Sequence, residues 1–337
     1  MQKIKEWFFL ILIFIFLISL MVINYLREAN SMNFIELNIL PTSISKMDDN
    51  SIWCPTLQLI WNDLKNKVVG QDIEFIIDKQ NQDVFDLNKE SFKDIMINSN
   101  YFYKNYDYMT PEFKKIIEND IWNKFKEKSD ILDRFNFKEN SQDYFFYSML
   151  VRDFKFKNPF DILSNNTFGI NSQSSELLDE NVKVLFYKDS EYAVKLLTID
   201  GDDVILYKGE CGNNFSDTYK KIKNNLKESI FDSLDTIEIA NLNFKTESRY
   251  PYLINKDFYD INGISHRIDE ILQTIMFNFN NTGGKVKSEA GMNVKTTSLE
   301  HGRHFDFTDD FVLFLKESDK NEPYFAINVT SINEFYK

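Results

Sequence analysis

The hydrophobic pattern divides the chain into an uncharged opening run, a first half of helix-spaced apolar residues and a second half of short strand-like runs. Trp7 to Tyr25 spans 19 residues without a charge, interrupted only by the polar Ser19 and Asn24. At about 1.5 Å per residue, a helix of that length nearly crosses a ~30 Å hydrocarbon core. No face of it is polar, which argues against a buried core helix. Lys3 and Lys5 precede the run, so the positive-inside bias leaves the N-terminus in the cytoplasm and everything after residue 30 on the far side. Residues 25–31 show no A-x-A pattern, and the run is long for a cleaved leader, so a retained anchor through residues 7–25 is favoured over a signal peptide. Either reading makes the protein extracellular or exposed at the cell surface.

After residue 31 there is no long linker, repeat or low-complexity tract, so residues 31–337 are expected to form one domain behind the 1–30 segment. Ser51 to Val69 carries Ile52, Leu57, Leu59, Ile60, Leu64 and Val68 at a mostly helical spacing, with Pro55 suited to a first turn. Thr110-Pro111-Glu112, followed by Phe113, Ile116, Ile117 and Ile121, predicts a capped amphipathic helix. Tyr144 to Val151 is a nearly continuous apolar run, as in a strand buried on both faces. Strands are predicted over 182–187, 192–199, 204–207 and 236–244, with Asp200-Gly201-Asp202 as a turn. Residues 261–274 read as helix and 275–279 as strand, and a hairpin pairs 311–315 with 324–329. Helices come first and strands later, which gives an α+β class with mainly antiparallel sheets.

Composition narrows the function. Lys and Arg total 39 against 52 Asp and Glu, a net charge of −13 that argues against a nucleic-acid partner. With 32 Phe and 16 Tyr the chain can bury a sizeable core, whereas two Cys cannot build a disulfide framework; Cys54 and Cys211 could pair in an exported protein but need not. Neither a nucleophile elbow, a zinc-protease helix, C-x-x-C nor a phosphate loop occurs; Gly283-Gly284-Lys285 lacks the upstream glycine of the last. His301 and His304 sit in a polar stretch without a carboxylate or cysteine partner, and His266 falls on the predicted 261–274 helix as a structural histidine. Asp202-Asp203 and Asp309-Asp310 read as turn or surface pairs. No catalytic residue, metal site or cofactor is therefore assigned, and the protein is not expected to be an enzyme. Sequons begin at Asn165, Asn214, Asn280 and Asn328, compatible with a glycoprotein.

The segment after Phe279 is the most informative. From the hinge-like pair Gly283-Gly284, even positions run Val286, Ser288, Ala290, Met292 and Val294, while odd positions include Lys285, Lys287, Glu289, Asn293 and Lys295. That is a period-2 strand with one small or apolar face and one charged face. An ordinary edge strand fits this periodicity, and so does a segment able to add itself to a sheet.

Here the residues carry a resemblance to the serpins. Asn50 to Leu57 resembles the serpin helix start N-x-(F/V)-x-S-P-x-S, with Cys54 at a Ser position. Ser148 to Asp161 is similar to N-A-x-x-F-x-x-x-W-x-x-P-F, with Ser148 and Phe156 at its Asn and Trp. Leu197 to Leu206 and Asn241 to Lys245 resemble the family's L-P-Y-x-G hairpin and L-P-K-F-K strand. Ile275 to Gly283 resembles the strand leading to the N-E-E-G hinge, and Phe305 to Leu315 resembles F-x-A-D-x-P-F-L-F-L-I, with residues 324–329 in place of L-F-M-G-R-V. The likeness runs in the family's order over about residues 50 to 330. It departs where Asn280-Asn281-Thr282-Gly283 replaces the acidic hinge, where Gly284 to Ala290 lacks an Ala-rich run, and where residues 70–100 and 120–144 are short.

The resemblance implies a shortened, divergent serpin whose reactive loop spans about residues 283–304. In such a protein a serine protease, or a cysteine protease, cuts the loop as a suicide substrate, and the loop then inserts as a strand into the central sheet. Gly283, Gly284, Val286, Ser288, Ala290 and Met292 would form the hinge and inward face. The scissile bond would lie near Thr297, Ser298, Leu299 or Glu300: counting from Gly283 puts its N-terminal residue at Thr297, and counting back from Phe311 puts it at Leu299. The alternative is a non-inhibitory serpin-fold surface or secreted binding protein.

Overall fold

The computed structural model describes residues 33–171, 181–188, 190–283 and 302–336. The Trp7–Tyr25 run lies outside them, and among the described residues no helix is long and apolar enough to cross a membrane.

The sequence builds two complete sheets and one divided sheet. The largest has eight strands in the order β11 (Ser229–Ile230), β8 (Val182–Lys188), β9 (Glu191–Leu197), β10 (Asp202–Lys208), β18 (Phe311–Glu317), β19 (Phe325–Val329), β3 (Ser51–Trp53) and β2 (Asn38–Leu40). Every residue of β18 and β19 is buried, which explains their near-continuous apolar sequences. A four-stranded sheet runs β17 (His304–Phe307), β12 (Thr236–Ala240), β7 (Thr167–Ile170) and β6 (Asp161–Ile162). The divided sheet comprises β1 (Asn33–Phe34), β13 (Leu242–Ser248) and β16 (Gln273–Phe279) on one side, and β4 (Phe102–Tyr108) with β5 (Tyr144–Leu150) on the other. A separate hairpin joins β14 (Lys256–Tyr259) to β15 (Ser265–Ile268).

Among the described residues four α-helices pack on these sheets: α1 (Thr56–Asp63), α2 (Gln82–Asn88), α3 (Pro111–Phe125) and α4 (Phe215–Asn224). α3 is the helix expected from its local signals. Thr110 caps it by accepting from the Phe113 amide, Pro111 opens it, and Phe113, Ile117 and Ile121 are buried on one face. The structure bears out the α+β class.

Several expectations need correction. Ser51–Trp53 is a strand, and the helix begins only after Pro55, continuing past Asp63 as a π-helical turn over Leu64–Val69. β5 is not buried on both faces: Phe145 and Tyr147 pack against α3, while Phe146, Ser148 and Leu150 are half-buried on the opposite face. Its aromatic run reflects two different coverings, one of which is incomplete. The 236–244 run breaks at Asn241 into strands of two different sheets. Residues 261–274 form no helix. Asp260 Oδ1 accepts from the amides of Asn262 and Ile264, and Gly263 has φ +80°, so turn chemistry overrides the helical spacing of the isoleucines and leaves His266 on a strand.

Most buried apolar residues belong to one core around the large sheet. A second, separate core of Phe113, Ile117, Ile121, Leu132, Phe145 and Tyr147 ties α3 to β4 and β5.

Candidate functional site

β5 and β16 each present one edge that pairs with no strand among the described residues. The two strands run the same way. Their exits meet at one end, where the Phe156 amide donates to Thr282 O at 3.1 Å and the Phe160 amide to Asn281 O at 2.8 Å. Between the edges lies a cavity of about 1700 Å³, whose walls come from both strands and whose floor is α1 through Leu57, Ile60, Trp61 and Leu64.

The start of α1 binds both walls. Ser148 Oγ on β5 donates to Thr56 O at 2.8 Å, and Gln273 Nε2 on β16 donates to Thr56 Oγ1 at 2.8 Å and Cys54 O at 3.2 Å. Tyr250 donates its hydroxyl to Gln273 Oε1, and complete burial pushes that phenol well above its ordinary range. Ser148 and Gln273 thus tie the two walls to Thr56 beneath the gap.

At the closed end the chain leaves β16 through a two-residue turn, Asn281-Thr282. Asn280 N and Gly283 O are 2.9 Å apart, and Gly283 N and Asn280 O are 3.1 Å apart. Gly283 is bridged in antiparallel sense to Asn280 on one side and to Lys155, beyond β5, on the other. Its φ is +119°, and a Cβ there would lie 2.4 Å from Phe154 O, so only glycine fits between the two chains. Gly283, singled out in the sequence as a hinge, therefore occupies the head of the gap. Gly284, Val286, Ser288, Ala290 and Met292, and the scissile candidates Thr297, Ser298, Leu299 and Glu300, lie outside the described residues.

The chain re-enters at Gly302. A Cβ here would fall 1.7 Å from Leu234 O, so this residue also cannot carry a side chain without moving backbone. Arg303 Nε is 3.1 Å from each Asp235 carboxylate oxygen, and the guanidinium also donates to Ser229 Oγ at 2.9 Å and Ile230 O at 2.6 Å. His304 Nδ1 lies 2.7 Å from Thr236 Oγ1, while His301 lies outside the described residues.

The head of the gap is also electrostatically fixed. Arg152, just past β5, donates from Nε to Asp202 Oδ2 at 2.6 Å and covers the Tyr101 ring at 3.5 Å, and Tyr324 donates to Asp202 Oδ1 at 3.1 Å. Burial raises the Asp202 carboxyl above its ordinary range against the pull of Arg152. Asp203 pairs with Lys316 at 3.1 Å. The expectation that Asp202-Asp203 is a turn or surface pair is therefore wrong: both are buried in β10. Asp309 and Asp310 are exposed, as expected.

Ser148, Gln273 and Arg152 were not found as site residues from sequence. One signal was available for Arg152: an arginine ending an otherwise apolar run needs a buried acid. Cys54 is buried and Cys211 exposed, and both are free thiols. Of the four sequon asparagines, Asn165 is exposed, Asn214 caps α4, Asn280 supports the turn at the head of the gap, and Asn328 is buried.

An α+β protein in which two strand edges face one cavity, with the chain leaving one of those strands through a tight turn, is a specific architecture. No family model matches the chain, and no curated protein matches it in sequence. Solved structures do. The serine protease inhibitor serpin-12 of Manduca sexta is similar at 12% identity over 87% of this chain and 95% of its own, with a TM-score of 0.50. Serpin48 of the insect Tenebrio molitor is 12% identical over 85% of this chain and 92% of its own, TM-score 0.48. Thyroxine-binding globulin in complex with thyroxine is 10% identical over 86% and 96%, TM-score 0.45. The chain is a serpin-fold protein.

Proposed function

We propose that the protein is an exported protease inhibitor that acts as a suicide substrate, and that the gap between β5 and β16 receives its own loop after cleavage near residues 297–299. The observation that carries this reading is Gly283, bridged to Asn280 and Lys155 at the head of a strand position that no described strand fills. Continuing its two antiparallel registers would set an inserted 284 beside Phe279 and Phe154, 286 beside Phe277 and Arg152, 288 beside Ile275 and Leu150, and 290 beside Gln273 and Ser148. On the β5 side alone, 292 would fall beside Phe146 and 294 beside Tyr144.

Directly opposed residues of antiparallel strands share a face. Ile275, Phe277 and Phe279 point into the core, and Ser148 points at α1. On this register both walls would turn Val286, Ser288 and Ala290 inward, and β5 alone would do the same for Met292; these are small or apolar residues of the loop. The lysines and Glu289 would fall on the outer face, where their charge stays solvated. Insertion would add backbone hydrogen bonds along two free edges at once, a large favourable change stored in the uncut chain.

The test mixes the chain with a panel of serine and cysteine proteases and looks for a covalent complex that survives SDS, together with a rise in melting temperature after loop cleavage. Both are expected. Cleavage near 297–299 with neither complex nor gain in heat stability overturns inhibition and leaves a serpin-fold binding protein.

A further inference from the structure

The uncharged run at residues 7–25 joins the fold through the seven residues 26–32. Fully extended, the eight steps from Tyr25 to Asn33 span at most about 30 Å. Where the chain enters the domain, and from which direction, therefore decides which side of it an anchored chain turns to the membrane.

The first strand fixes both. β1 pairs in parallel with β13, Asn33 opposite Phe244 and Phe34 opposite Lys245, and the Ile35 amide donates to Lys245 O at 3.0 Å. Ile35 is buried and the Leu37 amide donates to Thr246 Oγ1 at 3.4 Å, so the entry is held along β13. β13 starts at Leu242, opposite Phe279 of β16, and ends at Ser248, opposite Gln273. A chain that joins it in parallel arrives from the Leu242 side. That is the end at which β16 leaves toward Gly283 and at which β12 hands over to β13 through Asn241. β17, entered from Gly302, lies parallel to β12, with His304 opposite Thr236. Both fixed ends of the loop thus belong to the side from which the chain enters. The β14–β15 hairpin falls between Ser248 and Gln273 in sequence, and so lies beyond the other end of both strands. Six rises of ~3.4 Å put about 20 Å of strand between the two ends before the hairpin is added.

We infer that the anchor suspends the domain by its loop end, so that Gly283, Gly302 and the loop between them face the bilayer across one short tether and the hairpin points away from it. The inference rests on the reading of residues 7–25 as a retained anchor, and it holds whether or not the loop inserts. Its consequence concerns the partner. A compact protease domain of about 230 residues is about 45 Å across, wider than the layer the tether leaves open. A protease free in solution is therefore hindered from the loop, and the partner that fits is a protease held at the same membrane.

The test places the full chain, with Cys211→Ser, in phosphatidylcholine vesicles containing rhodamine-labelled lipid, and attaches a donor dye at Asn165→Cys or at Asn262→Cys; Cys54 is buried and stays unlabelled. Asn165 marks the loop end, where its carbonyl oxygen accepts from Asn241 Nδ2 at 3.4 Å, and Asn262 marks the hairpin turn; both are exposed. Energy transfer to the bilayer should be at least twofold greater from position 165. A 20-residue Gly-Ser spacer after Asn30 adds about 25 Å of reach. It should at least halve transfer from 165 and speed loop cleavage by added subtilisin about threefold. Equal transfer from the two positions, or more from 262, overturns the orientation. A chain that does not float with the vesicles overturns the anchor and the orientation with it. Transfer from 165 that ignores the spacer shows the domain resting on lipid by its own surface and overturns the tether. Cleavage at one rate with and without the spacer overturns the same-membrane partner. Inhibition stands or falls separately, on the covalent complex.

Discussion

If the loop inserts as proposed, Ala290 is the residue whose size matters most. Continuing the register from Gly283, it would fall between Ser148 and Gln273, above the Thr56 hydroxyl and carbonyl that hold both walls to α1. Ala290→Arg would bury an unpaired charge there, so the cleaved variant should gain no heat stability while cleavage itself proceeds unchanged. A normal rise in melting temperature would show the register to be wrong. Arg152 carries a different load. Its side chain is 5% exposed and that of Asp202 is fully buried, so Arg152→Met strands a carboxylate and should cost about 3 kcal/mol in urea denaturation. The cysteines differ in access. Burial raises the Cys54 thiol to about 12 and Cys211 to about 11, so at pH 7.5 Cys211 should react slowly with a thiol reagent and Cys54 only after unfolding. Two fast-reacting thiols would contradict this arrangement.

Among elements, the segment after α3, tied to β13 through Arg134 and Glu247, makes a pH prediction. The hydrogen-bonded Arg134 holds the Glu247 carboxyl below its ordinary range, aided by Arg249 and Lys245. A depressed acid contributes its stability above the unfolded value, about 4.3, and loses it as pH falls through the lower folded value. The stability difference between the unaltered chain and Glu247→Gln should therefore be flat from pH 8 to about 5, at most about 1 kcal/mol, and vanish in stronger acid. A difference that fades near neutrality would point to another group. What could be read from sequence divides along the same line. α3 was legible because its cap, its opening proline and its apolar face are all local. The β18–β19 hairpin was legible because one apolar period persists through both strands. The β14–β15 hairpin was not, since four isoleucine and leucine positions happened to fit a helix while Asp260 and Gly263 dictated a turn. The Arg134–Glu247 pair was invisible because the two residues lie 113 residues apart, and nothing in either neighbourhood names the other. Gly283 was singled out in the sequence as a hinge candidate, but its bridges to Asn280 and Lys155 were not foreseen; they depend on how separate segments pack.

On the scale of the whole molecule, the two cores have a thermodynamic consequence. The α3–β4–β5 unit keeps its own apolar cluster, and the gap deprives it of the strand-to-strand hydrogen bonds that would join it to β16. Cooperative unfolding needs such continuous coupling. Calorimetry of the uncut chain should resolve a small early transition belonging to this unit ahead of the main one. A strand laid into the gap would bond to both halves along their length, and the two transitions should then merge into one at higher temperature. No described strand fills the position between β5 and β16, and a strand placed there would couple the two folding units into a single thermodynamic body.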